Sequence, residues 1–262
     1  MKARNKQAWV EIWSENPPPG YSGTIEHSSF WHSVLEHVGT YGYPLIFAFT
    51  LHGSLAVLLR LDALWALLPL AVLAWAASDV ITGTAHWMFD NYFSESTPVL
   101  GSTFVRPFRA HHLYPRDICK HDVVLTIGNT CIAATPVQGA LLVLAYASED
   151  SVFWSLFTLF ASITIFATVL TNLFHRWAHA ESVPAFVKIL QKLHLILPGR
   201  HHDVHHVAPH DRHYCITCGW MDRPLEWVFY FSSLEKIIAW FGVLPVHRRP
   251  EEPTAAANRV VA

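Results

Sequence analysis

Histidine is concentrated in one short part of the chain, and the side chains there suit metal chemistry. Seven of the eighteen histidines lie between His194 and His213, and four of them fall in the run HHDVHH at 201–206. Imidazole is the commonest protein metal ligand near neutral pH. In a helix, positions 201 and 205 share a face, as do positions 202 and 206. The run therefore predicts a metal site, with ligands for more than one ion.

Three further groups place histidine beside histidine or aspartate at spacings that suit metal ligands. The groups are His86 with Asp90, His111 with His112, and His175 with His179. Neutral imidazoles with one or two carboxylates suit iron, zinc, copper or nickel. Eight or nine such ligands exceed what one zinc ion uses, since zinc is usually four-coordinate. The ligand number predicts two metal ions, and a site of this kind at a membrane interface suggests oxygen activation by two irons acting on a lipid chain.

Other kinds of chemistry lack their motifs in this sequence. No HExxH is present to support a zincin-type protease, no GxSxG supplies a serine nucleophile, and no glycine-rich loop suits a nucleotide phosphate. Cys215 and Cys218 form a lone CxxC without a second pair at zinc-ribbon spacing, which favours a structural or incidental role. The net charge of −2 gives no basic excess for nucleic acid.

The elements that must position the histidines are membrane helices. Hydrophobic residues make up 52% of the chain and charged residues only 15%, against about 25% in soluble domains. Apolar stretches at 43–61, 63–81, 123–146 and 151–174 approach or exceed the ~20 residues that cross a bilayer. We predict an all-α membrane protein with four transmembrane helices in two hairpins, beneath a cytosolic, histidine-rich helical cap. Surface or capping helices are expected over 184–197 and 224–241.

The basic residues set the predicted orientation and the domain limits. They cluster before the first span, between the second and third, and after the fourth, which places both termini and all the histidine groups in the cytosol. Residues 1–40 are predicted to be a cytosolic N-terminal segment, 41–249 the membrane domain and 250–262 a disordered tail. A bacterial inner membrane is favoured, or the endoplasmic reticulum in a eukaryote.

Several motifs together resemble one family. They are HWxxD at 86–90, VRPFRxHH at 105–112, HRWxH at 175–179, HHxxHH at 201–206 and YCITxGW at 214–220. In order and spacing they are similar to the Kua/CarF-like lipid desaturase family, over about residues 79–240. The first of these motifs, HWxxD, departs from the wider desaturase and hydroxylase superfamily, since it ends in Asp90 rather than histidine. Phe108 also stands where the broader pattern often has a histidine.

The resemblance implies a reaction and its participants. Plasmanyl-ethanolamine, an alkyl ether phospholipid, would lose two hydrogens next to the ether oxygen and become plasmenyl-ethanolamine, a vinyl ether plasmalogen. The oxidant would be O₂, the cofactor two non-haem iron ions, and the electron donor a carrier such as cytochrome b5 or ferredoxin. An acyl-lipid desaturase or a hydroxylase would use the same cluster. A metal transporter is the remote alternative. Transport would require ionisable residues deep inside several spans, whereas the candidate ligands here gather at one end of the spans.

The resemblance also sorts the candidate residues by role. The expected metal ligands are His86, Asp90, His111, His112, His175, His179, His202, His205 and His206, with no assignment to one ion or the other. Residues expected to orient ligands or hold a metal-bound water are Asn172, His121, Asp122, His201 and Asp203. Possible contacts to the lipid headgroup or the electron donor are Arg106, Arg109, Arg116, Lys120 and Arg200.

Overall fold

Helices make up the framework of the protein, which we describe from a computed structural model. The structure describes residues 29–148 and 150–246, and no strand occurs within these ranges. The α-helices there are α1 (Phe30–Arg60), α2 (Leu67–Asn91), α3 (Arg106–Leu113), α4 (Val123–Ala147), α5 (Val152–His179), α6 (Ala185–Lys192), α7 (Gly199–His202), α8 (Asp222–Trp227) and α9 (Tyr230–Trp240).

Four of these helices, α1, α2, α4 and α5, are long and apolar enough to cross a membrane. The prediction of an all-α protein with four spans is therefore confirmed. The first helix begins earlier than expected, at Phe30, and the Ser29 side chain accepts a hydrogen bond from the His32 amide at its start. Residues 30–40, assigned from sequence to the N-terminal segment, thus form the first turns of a span. Residues 1–28 and the predicted tail at 250–262 lie outside the described residues.

The chain turns that begin the last two spans carry side-chain caps. Asp122 accepts a hydrogen bond from the Leu125 amide at 2.8 Å, and Ser151 accepts one from the Trp154 amide at 3.3 Å. Such caps satisfy backbone N–H groups that have no partner inside the helix. They fix where α4 and α5 begin, and hence how far His175 and His179 lie along α5.

The predicted hairpins pair α1 with α2 and α4 with α5, but the helices also pack across these pairs. The most extensive contacts join α1 to α4. Helix α2 packs mainly on α5, which also packs on α4. Helices α1 and α2 follow each other through a short connection but contact each other far less. At that end Arg60 pairs with Asp150 across the two connections, at 3.2 Å. The predicted hairpins are thus joined into one bundle by contacts between them.

A buried polar network holds the bundle together near its centre. Gln138 on α4 is fully buried and donates to the Thr50 hydroxyl at 3.0 Å and the Ser162 hydroxyl at 2.7 Å. Tyr43 donates to the Gln138 carbonyl oxygen at 3.4 Å. Polar groups inside a membrane must be satisfied by neighbouring helices. The network therefore joins α1, α4 and α5 at one level.

The outer face of the bundle is apolar. Large exposed side chains on it include Leu45, Phe49, Trp65, Leu68, Val143 and Phe153. A continuous apolar surface of this kind is costly in water and suits lipid chains. The protein is accordingly a multi-pass membrane protein.

The cap follows α5 and differs from the prediction in three places. The helix expected over 184–197 occupies Ala185–Lys192, and the one expected over 224–241 is divided into α8 and α9 at Phe229, whose φ is 54°. The run at 201–206 is helical only as far as His202, after which the chain continues in turns. The expectation of one helical face for positions 201 and 205 is therefore wrong.

A carboxylate inside the second span fastens the cap to the bundle. Asp79 on α2 is completely buried. Its Oδ1 accepts from the amides of Thr217, Cys218 and Gly219 at 3.2, 2.9 and 3.1 Å, and its Oδ2 accepts from the Met221 amide at 2.9 Å. Four backbone donors converge on one side chain, so residues 217–221 are held at a fixed place beside α2.

Candidate metal centre

All nine predicted metal ligands come together at one end of the bundle. They form two groups, and within each the potential ligand atoms lie within 4.8 Å of one another. One group holds His111, His175, His179, His202 and His206, and the other holds His86, Asp90, His112 and His205. The helices α2, α3 and α5 and the segment after α6 contribute to them. Side chains far apart in sequence therefore meet at the same end of the bundle.

The five-histidine group is a set of imidazole nitrogens that face each other. The Nε2 atom of His175 lies 2.8 Å from that of His202 and 3.2 Å from that of His179. The Nε2 atoms of His111 and His179 are 2.9 Å apart, and those of His206 and His202 are 3.1 Å apart. A neutral imidazole has one N–H and one lone pair. Five converging Nε2 atoms suit a shared cation better than a closed set of hydrogen bonds.

The second group surrounds the carboxylate of Asp90. His112 Nε2 lies 3.1 Å from Asp90 Oδ1, and the Nε2 atoms of His86 and His205 each lie 3.6 Å from Oδ2. Since i,i+4 residues share a helix face, α2 presents His86 and Asp90 together. Three imidazoles and one carboxylate are a donor set that suits iron or zinc.

Backbone carbonyls fix the orientation of two of these rings. His86 Nδ1 donates to the Tyr214 carbonyl at 3.0 Å, and His205 Nδ1 donates to the Arg212 carbonyl at 2.9 Å. A carbonyl only accepts, so each ring carries its proton on Nδ1 and its lone pair on Nε2. Among the described residues, neither Nε2 atom has a hydrogen-bond partner, although both are buried. Two buried lone pairs directed at a carboxylate fit a metal ion between them.

Residues adjacent in sequence serve different groups. His111 and His206 belong to the five-histidine group, while their neighbours His112 and His205 belong to the group around Asp90. The rings of His205 and His206 lie 5.6 Å apart between centroids, and those of His112 and His206 lie 5.4 Å apart. The two groups are therefore side by side, as a pair of metal ions would require.

Burial keeps the cap histidines neutral. His202 and His205 are fully buried, and burial holds the pKa of each well below its usual value. His111 behaves likewise, since burial and the neighbouring histidines lower its pKa in the same direction. Only a neutral imidazole can bind a metal. The fold thus holds these side chains in the ligand-ready form, and the donor set fits two metal ions.

The five residues expected to orient ligands or to hold a metal-bound water differ in burial and in their contacts. Asn172 is half-buried one turn before His175, and His121 is half-buried after the turn Asp117–Lys120. Asp122 and Asp203 are exposed, and Asp122 caps α4. His201 lies outside both groups and pairs with Asp222 at 2.6 Å.

The basic residues near the site are mostly engaged. Arg109 is buried and donates to the Tyr92 and Phe93 carbonyls at 2.8 and 3.2 Å. Arg116 pairs with Glu181, and Lys120 pairs with Asp117 at 2.6 Å. Arg200 is exposed and Arg106 half-buried. Arg109 therefore anchors a helix end.

Several residues that shape the site were not predicted. His210 is buried with Nδ1 3.1 Å from that of His112, and Asp222 is buried beneath His201. Nothing in their local spacing points to these contacts.

Asp79 did carry a signal, because an acidic residue inside a hydrophobic span is a functional candidate by default. Cys215 and Cys218 are completely buried and free, and burial raises the pKa of both thiols, which disfavours the reactive thiolate form.

Comparison with known proteins yields consistent matches. Residues 75–247 match the model of the lipid desaturase domain. Plasmanylethanolamine desaturase of Myxococcus xanthus is 42% identical, over 75% of this chain and 68% of that protein. Plasmanylethanolamine desaturase 1 of Mus musculus is 37% identical, over 74% of each chain. Fatty acid desaturase 4-like 1, chloroplastic, of Arabidopsis thaliana is 30% identical, over 90% of this chain and 77% of that protein.

No solved structure gives a significant match. The family match covers both groups of clustered side chains and three of the four spans in whole or in part. The chain therefore belongs to the lipid desaturase family of membrane oxidoreductases.

Proposed function

We propose that this protein is a plasmanylethanolamine desaturase with two non-haem iron ions at its paired side-chain groups. The observation that carries the proposal is the convergence of eight histidines and Asp90 in two adjacent groups at one end of the spans. Two relatives that are named plasmanylethanolamine desaturases, each matching about three quarters of the chain, support the substrate.

Bound iron would supply the O₂ activation that breaking an unactivated C–H bond requires. His111, His175, His179, His202 and His206 would hold one ion, and His86, Asp90, His112 and His205 the other. The overall reaction balances when the ether-linked chain loses two hydrogens, O₂ is reduced to two waters, and two electrons and two protons arrive from outside. The carrier that delivers the electrons would be a protein such as cytochrome b5 or ferredoxin.

The polypeptide's own part is to hold the ligands and exclude water. Tyr214 and Arg212 fix two rings through their carbonyls, and Phe108 packs its ring 5.1 Å from that of His86. The site lies where α2 and α5 end, so a lipid chain can reach it without leaving the membrane. We further propose that both termini and this site face the cytosol, and that Arg106 or Arg200 meets the phosphate of the lipid.

The test is lipid analysis of cells that lack plasmalogens, express this chain and receive an alkylglycerol. A plasmanylethanolamine desaturase yields acid-labile vinyl ether lipids that have two hydrogens fewer than their precursors. Addition of one oxygen instead would identify a hydroxylase. Unchanged ether lipids together with a new double bond in an acyl chain would favour acyl-lipid desaturation, an alternative that the name of the Arabidopsis thaliana relative supports.

A further inference from the structure

A third group of potential metal ligands lies beside the two already described. It contains His201, His213 and Asp222, whose potential ligand atoms lie within 4.8 Å of one another. None of the three belongs to the nine side chains assigned to iron. The group joins the two ends of segment 201–222, which carries three iron-ligand candidates between them.

Asp222 and His201 form the inner half of this group. Asp222 is 1% exposed, and its Oδ1 accepts from the Cys215 amide at 2.9 Å. Its Oδ2 lies 2.6 Å from His201 Nε2. A Cβ on Gly219 would overlap this same nitrogen, so the glycine leaves room for it. The carboxylate and the imidazole are therefore both fixed in place.

His213 and Glu226 form the outer half. His213 Nδ1 donates to the His201 carbonyl at 3.3 Å, which leaves the lone pair on Nε2. That Nε2 atom lies 4.0 Å from Glu226 Oε1, and the rings of His213 and His201 lie 4.4 Å apart. Two imidazoles and the Asp222 carboxylate thus meet within 4.8 Å of one another, and Glu226 lies beside His213 on the solvent side of this group. Zinc binds histidine nitrogen and carboxylate oxygen, and structural zinc is almost always four-coordinate, so Glu226 would supply the fourth ligand.

We propose that His201, His213, Asp222 and Glu226 form a mononuclear zinc site that closes the cap segment. Zinc here would join residue 201 to residues 213–226 and so hold the intervening His202, His205 and His206 near the bundle. Solvent reaches this site, since the side chains of His213 and Glu226 are 14% and 39% exposed. The iron-ligand candidates His86, His202 and His205 are fully buried. The third site should therefore exchange its ion independently of the other two.

The experiment uses the full-length, iron-loaded protein in detergent, dialysed against zinc, with zinc and iron counted in the same sample by mass spectrometry. Wild type should retain one zinc per chain with its iron unchanged. His213→Gln and Glu226→Gln should each lower zinc affinity by at least about tenfold, because outer ligand contacts alone contribute roughly that much. Glu226 is partly exposed, so its variant should fold even if the His213 variant does not.

His194→Gln is the matched control, because it removes a neighbouring exposed histidine whose ring lies 6.4 Å from that of His201 but which is outside the group. It should bind zinc as wild type does. The proposal would be overturned if the zinc bound by the wild-type protein did not exceed the iron that it had lost during dialysis. A Glu226→Gln variant that binds zinc with wild-type affinity would also overturn it. Asp90→Ala should keep the zinc at the third site even if desaturation is lost. The failure of this site and the failure of the proposed function are therefore distinguishable.

Discussion

Replacing Asp79 by asparagine tests whether one buried carboxylate holds the cap on the membrane bundle. Asparagine keeps one oxygen that can accept from Thr217, Cys218 and Gly219. Its amide NH₂ then faces the Met221 amide, where a carboxylate oxygen accepts at 2.9 Å in the wild type. One charge-assisted hydrogen bond is lost, and two donors oppose each other in a buried place.

The expected magnitude follows from that single exchange. A hydrogen bond to a charged group contributes about 1.5–3 kcal/mol, and in a protein of this size each kcal/mol shifts Tm by roughly 2–4 °C. The variant should therefore melt roughly 3–12 °C below wild type. The Tyr214 carbonyl that orients His86 belongs to the same cap segment. Under the proposed function, the iron content of the variant should therefore fall in parallel.

The assay is thermal unfolding of purified protein in detergent, together with iron analysis of the same samples. Asp62→Asn is the control, since it makes the same chemical change at an exposed position in the connection between α1 and α2. A variant at position 79 that melts with wild type and keeps its iron would refute the role of Asp79 as a fastening between α2 and the cap.

Three further outcomes are expected. Asp90→Ala should abolish vinyl ether formation in the lipid assay while the protein still inserts, and a normal plasmalogen level would contradict its role. Gly219→Ala should lower Tm, because the new Cβ meets His201 and the backbone φ of 80° disfavours alanine; unchanged melting would contradict this. The metal-free protein should lose stability as pH falls below about 6.5. Burial lowers the pKa of His202 and His205 in the folded protein, so only the unfolded chain takes up protons at these two residues. A chelated protein equally stable at pH 5 and 7 would oppose that reasoning.

The helices and the clustering of the histidine and aspartate side chains were accessible from sequence for physical reasons. A membrane imposes a length and an apolar composition on each span, and a metal imposes side-chain types, so both leave local patterns. His86 with Asp90 and His175 with His179 lie on regular helices, where a spacing of four residues guarantees a shared face. These pairs accordingly meet within single groups.

The cap was less predictable, since its geometry depends on contacts distant in sequence. The chain leaves the helical path after His202, and so His201 and His205 do not share a face: His205 belongs to the group around Asp90, whereas His201 lies outside both groups. That departure depends on Arg212, Asp79 and Asp222, which act through backbone groups or over long separations. The early start of α1 at Phe30 was missed because its first turns are not apolar enough to stand out in the hydropathy pattern.

The alternation of neighbours between the two groups has a thermodynamic consequence. His111 and His112 share one peptide unit, as do His205 and His206, yet the members of each pair belong to different groups. An ion that immobilises one member also restricts its neighbour, so the second ion meets ligands whose conformational entropy has already been lost. Occupation of the two positions should then be cooperative and reciprocal, whichever fills first. Protein carrying a single ion would be scarce at equilibrium, and metal depletion would divide the population into fully loaded and empty molecules.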